Sequence, residues 1–125
     1  MSATARAILI TAGLLLALGT VFGAVGTHAL RARLTPDQLA IFETAVRYHF
    51  YNAIGLLGVG AVALTFHSAL LRWSAALIVA GIVLFSGALY LASFGAPRII
   101  HLFPPFGGLA LIAGWVLFAI AVWRR

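Results

Sequence analysis

No cysteine occurs among the 125 residues, so disulfides, thiol catalysis and thiolate metal sites are excluded. Acidic side chains are almost missing too: Asp37 and Glu43 are the only two. A carboxylate pair for acid–base chemistry would need both, and Asp37 already has a role at a helix start. Serine-hydrolase chemistry lacks its glycine-flanked nucleophile turn. A metal centre lacks a spacing that puts two ligands on one helix turn.

Charge of any kind is scarce, at 8% of residues against 64% apolar. A soluble domain is roughly 45–50% apolar, so this composition belongs in a membrane. The charges bound four runs free of Arg, Lys, Asp and Glu, at 7–30, 48–71, 73–97 and 99–123. Each exceeds the ~20 residues that cross a bilayer as helix. The expected fold is an all-α integral membrane protein: one domain over 1–125, an antiparallel bundle of four transmembrane helices at about 7–30, 36–66, 73–94 and 106–123. The first run is too long for a signal-peptide core and is expected to remain as a helix. The net charge of +6 does not indicate nucleic acid, because the arginines stand singly or in pairs where the apolar runs end and form no aromatic-laced basic patch. Charge does not orient the chain either: four arginines fall on each side.

Helix 1 carries Gly19 and Gly23 at GxxxG spacing, with Gly26 following. Such a face suits close packing against a neighbouring helix of the same chain, or homo-oligomer formation. Helix 2 has a full set of start signals. Thr35 is the N-cap, Pro36 fits the first position, Asp37 suits the dipole, and Gln38 completes a capping box with Leu34 and Leu39 at staple positions. Its length of about 45 Å exceeds a hydrocarbon core of ~30 Å. Its first turns are therefore expected at the interface, with Leu39, Phe42 and Val46 as an apolar stripe and Glu43 and Arg47 as an i,i+4 ion pair. Gly95, Pro97, Pro104 and Pro105 break the chain before helix 4, whose Gly107, Gly108, Ala110 and Gly114 offer another small surface.

Topology brings the end of helix 1, the start of helix 2, the second half of helix 3 and the start of helix 4 to one side of the membrane. His28, Glu43, Arg47, Tyr51, Ser86, Tyr90, Gly107 and Gly108 are expected to line one vestibule there. Bland roles compete at each position: an interfacial ion pair for Glu43 and Arg47, a turn residue at His28, interface anchoring for the tyrosines, and backbone bonding for Ser86. His49 accompanies His28 as a titratable group on that side.

Four ordered motifs, Gly23–His28, Phe42–Tyr48, Leu84–Tyr90 and Pro105–Leu109 through Gly114-Trp115, resemble the YgdD-like or transmembrane-protein-256-like family of small membrane proteins, a domain of unknown function. That resemblance covers nearly the whole chain. It implies a bacterial-type plasma (inner) membrane location, multi-pass, with both termini cytoplasmic. The chain departs from the family pattern at Thr27 (usually Ala), His49 (usually Gln) and Asn52 (usually His), so a chemical role for a helix 2 histidine would have to pass to His49. No cofactor is implied. The expected function is a structural or lipid- or partner-binding module with membrane lipids as partners. A proton- or solute-conducting oligomer is the alternative from another class, and a lipid-modifying enzyme the third.

Overall fold

The computed structural model describes residues 1–125, apart from the side chain of Thr27. The chain is helical over most of its length and, among the described residues, contains no strand. Four helical rods follow one another: α1 (Ala3–Leu30), α2 (Pro36–Ala63), α3 (Ala69–Ser93) and α4 (Arg98–Trp123). By length and apolarity, α1, α3 and α4 can each cross a membrane. α2 has the length, at 28 residues, but Asp37, Glu43, Arg47, His49 and Asn52 make the stretch up to position 52 too polar to qualify on composition.

Local chemistry sets the ends. Ser2 caps α1 by accepting from the Ala5 N–H at 3.0 Å. Thr35 and Gln38 form the anticipated capping box, with bonds of 3.2 and 3.0 Å. α2 stops at Ala63, three residues short of the expected end. α3 starts four residues earlier than expected, because Ser68 accepts from the Leu70 N–H at 3.1 Å and opens the helix there. After Ser93 the chain turns through Gly95 at φ +81°, a conformation glycine adopts without strain. α4 also begins early, as a 3₁₀ turn over Arg98–Leu102 that runs into Phe103–Trp123. Pro104 and Pro105 were expected to break the chain, yet they stand in the first turn of the α-helical part. There a missing N–H removes no intrahelical bond.

Two windings depart from the α pattern. α1 ends in a π turn at Gly26–Leu30, and α3 contains another at Val83–Gly87. Each adds a residue to its turn and re-aims the side chains beyond it.

Glycines set the approach of the rods. α1 and α2 are antiparallel neighbours, for Gly26 faces Phe42 while Gly60, near the other end of α2, faces Leu9. Gly19 and Gly23 face the same partner, touching His49, Phe50 and Val46, so this small face serves packing within the chain. Between α3 and α4 contact is closer still. A methyl group on Gly107 would overlap the backbone of Leu84 and Phe85, inside the π turn. Gly114 meets the Ser74 backbone, and the Ser74 hydroxyl donates to the Gly114 carbonyl at 2.7 Å.

The interior divides into two tiers. One is apolar, built from Ala5, Ile8, Leu56, Val59, Leu71 and Ile78 with their neighbours. The other, towards the α1–α2 turn, holds the buried His49, Asn52 and Ser86.

The glycine contacts generate a paired test. Gly107→Ala forces α4 away from α3 and is expected to destabilise by roughly 1–3 kcal/mol, read as a lower melting temperature in detergent. Gly108→Ala, whose added carbon meets nothing within 4 Å, should leave the melting temperature unchanged. Equal melting of the two variants would refute the seam.

Candidate functional site

The polar tier is centred on His49, which is only 2% exposed. Its place follows from helix period: Phe42, Ala45, His49, Asn52 and Leu56 recur every three or four residues on the buried face of α2. The apolar stripe expected at Leu39, Phe42 and Val46 is thus rotated, with Phe42 as its only fully buried member.

Both ring nitrogens of His49 are used. Nε2 lies 2.7 Å from the Leu15 carbonyl oxygen on α1, and Nδ1 lies 2.9 Å from the Tyr90 hydroxyl on α3. A carbonyl oxygen can only accept, so Nε2 carries the proton. In the neutral ring Nδ1 then accepts, and Tyr90 donates to it. One imidazole therefore ties three helices together. Gly19 makes room for this, since a methyl group there would stand 3.3 Å from Nε2. Aromatic rings close the shell: Phe22 packs edge-on to Tyr90 at 4.7 Å, and Phe42 lies 5.2 Å from the same ring.

Two further bonds fix the helices around this centre. Ser86, inside the π turn of α3, donates to the Ala45 carbonyl at 2.8 Å, one turn before His49. Asn52 donates to the Tyr48 carbonyl at 2.8 Å and accepts from Trp115 Nε1 at 2.9 Å, joining α2 to α4. Trp115 lies over Gly55, where a side chain would collide with the indole. Among the described residues no buried side-chain nitrogen or oxygen lacks a partner.

The eight residues expected around one vestibule separate into three groups. Ser86, Tyr90 and Gly107 face the interior, the first two bonded to α2 and Gly107 set in the α3–α4 seam. His28, Glu43, Arg47 and Tyr51 are exposed. Gly108 opens onto a lateral cleft. Glu43 does line a recess of about 150 Å³ with Gly23, Gly26, Phe42 and Val46, but His49 is not part of its lining and is itself buried. Periodicity explains the split: positions 43, 47 and 51 share the outward face of α2, opposite 42, 45, 49 and 52. Among the described residues no ion pair joins Glu43 to Arg47, contrary to expectation; both side chains stand in the open, where such pairs contribute little.

The lateral cleft, about 500 Å³, runs between α2, α3 and α4. Tyr48, Asn52, Phe85, Gly108, Ile112 and Trp115 are among its walls. Tyr48 stacks edge-on against Phe85 at 5.1 Å, and among the described residues its hydroxyl has no hydrogen-bond partner.

The tautomer is directly measurable. Nitrogen-15 NMR of the imidazole is expected to show a protonated Nε2 and an unprotonated Nδ1. Tyr90→Phe should leave Nδ1 without a donor and lower stability by about 1 kcal/mol. Finding the proton on Nδ1 would refute the arrangement.

Comparison with known proteins places this geometry in a family. The family described as "Protein of unknown function (DUF423)" matches residues 22–108. A UPF0382 membrane protein of Staphylococcus haemolyticus is 34% identical over 110 residues, covering 88% of each chain. The UPF0382 membrane protein YwdK of Bacillus subtilis is 36% identical, covering 86% of each. The UPF0382 inner membrane protein YgdD of Escherichia coli is 28% identical, over 97% of this chain and 92% of its own. No solved structure matches. The matched stretch contains His49, Asn52, Ser86, Tyr90 and the seam glycine Gly107, and the chain belongs to the DUF423 family of membrane proteins.

Proposed function

We propose that the protein is a four-pass membrane module that holds a phospholipid acyl chain in the lateral cleft between α2, α3 and α4. The observation that carries this is the cleft itself: a groove of about 500 Å³ walled by Phe85, Ile112, Trp115 and other mainly apolar residues. In a bilayer the solvent that meets such a groove is hydrocarbon, and small, apolar, concave sites suit a single chain. The free Tyr48 hydroxyl at its wall is placed to donate to a lipid ester carbonyl.

Four crossings are supported by the neighbours of α2. Its last turns lie against Ile8 and Leu9 and its first against Gly26, so α2 runs the length of α1 in the opposite direction. Its polar face is no obstacle, because His49 and Asn52 are bonded inside, Glu43 falls within the ~12 Å by which a helix of about 42 Å exceeds a ~30 Å core, and Arg47, one turn further, has a stem long enough to reach the interface. Both termini then share one side, which this reading assigns to the cytoplasm.

Conduction of protons is the less supported reading. His49 ends on the Leu15 carbonyl, which has no proton to pass on, and the histidine is buried.

Two experiments test the proposal. Because the chain has no cysteine, single replacements report topology: Ala32→Cys and Ala96→Cys should react with an impermeant thiol reagent from the outside of intact cells, and Ala69→Cys only after lysis. Labelling of Ala32→Cys and Ala96→Cys from opposite sides would rule out four crossings. For the cleft, acyl-brominated phosphatidylcholine is expected to quench Trp115 in a Trp73→Phe, Trp123→Phe background, with slow recovery on dilution into unbrominated lipid. Gly108→Phe fills the cleft and should make recovery immediate; identical recovery with and without it would sink the acyl-chain site.

A further inference from the structure

The opposite end of the molecule, around the α2–α3 turn, carries two recesses of about 290 and 300 Å³. They share the wall formed by Phe66, His67, Ser68 and Ala69. Arg72 lines the first, with Ser2 and Thr4; Arg124 and Arg125 line the second. The Arg125 guanidinium lies 5.0 Å above the Phe66 ring, which orients it beside its recess. Arg6, on the first turns of α1, adds a further exposed positive charge at this end.

No acidic side chain answers these charges. Asp37 and Glu43 are the only two, and they stand 26 and 20 residues before Ala63 along α2, which is about 39 and 30 Å away. Hydroxyl donors complement the arginines: Thr4 makes no side-chain hydrogen bond among the described residues, and Ser68, whose oxygen accepts from Leu70, keeps its own proton to donate. Arginines at helix ends reach the level of lipid phosphates.

We infer that this end binds the phosphodiester of an anionic phospholipid. Arginine and hydroxyl donors recognise the phosphate oxygens. With several arginines and no acidic side chain at this end, a headgroup of net negative charge is favoured over a zwitterionic one, whose choline or ethanolamine ammonium is repelled by the arginines. The site shares no residue with the lateral cleft and stands whether or not that cleft holds a chain.

The test uses the full chain carrying Gly108→Phe, so that cleft occupancy does not contribute. Native mass spectrometry from micelles containing equal dioleoylphosphatidylglycerol and dioleoylphosphatidylcholine should show the anionic lipid retained in preference. Attraction of a basic side chain near the surface to anionic lipid corresponds to about a fivefold factor each, so Arg72→Gln with Arg124→Gln should lower that retention by at least fivefold. Arg125→Gln alone provides a milder variant. Arg31→Gln with Arg33→Gln, at the other end, should leave it unchanged. Equal retention of the two lipids, or equal loss in the Arg31 and Arg33 control, overturns the inference. Displacement by millimolar inorganic phosphate assigns the recesses to soluble phosphate and overturns the lipid assignment.

Discussion

Everything in the polar tier depends on keeping both nitrogens of one imidazole bonded where water is absent. A buried polar group without a partner is destabilised by several kcal/mol in hydrocarbon. His49 meets that constraint by taking one partner from α1 and another from α3. Gly19 must be small for the first bond, and the π turn of α3 lies one turn before Tyr90, the second partner. The Phe22 and Phe42 rings then pack against Tyr90. An exposed histidine at the same position would impose none of these requirements.

Close approach of backbones is the other half of the design. In a membrane there is little hydrophobic drive between helices, so association rests on packing and interhelical hydrogen bonds. α3 and α4 illustrate both at once: Gly107 lets the chains touch at the π turn, and Gly114 receives the Ser74 hydroxyl one layer deeper. Trp115 adds a third tie by reaching Asn52 across Gly55. Each glycine in these seams is paired with a specific large or polar partner, which distinguishes it from Gly58 or Gly108, beside which space is open.

Much of this was legible from sequence. Long charge-free runs, the Thr35–Gln38 capping box and the shared side of the helix 1, 2, 3 and 4 motifs all derive from composition, spacing and topology. Conspicuous residues misled. Glu43, Arg47 and Tyr51 drew attention as polar groups in an apolar chain, yet their i,i+4 spacing is that of an outward face, whereas His49 shares its face with Phe42, Ala45 and Leu56. The stripe was present in the sequence; choosing between two rotations of one helix required its neighbours. The π turns had no comparable signal, because an extra residue in a turn is fixed by the packing partner rather than by local propensity. The prolines at 104 and 105 were misplaced for a related reason: a break and a first turn use the same residues.

The two tiers differ in how they are held shut. The apolar one is closed mainly by dispersion among tightly fitted aliphatic side chains, with the Ser74–Gly114 hydrogen bond tying α3 to α4 beside it. The polar one carries both π windings, the turn leading into α2 and a few directional bonds. Proteins open locally where buried apolar contact is sparse. Of the two interiors, the His49 tier is therefore the one expected to open first, loosening and reclosing while the aliphatic end keeps the rods in register.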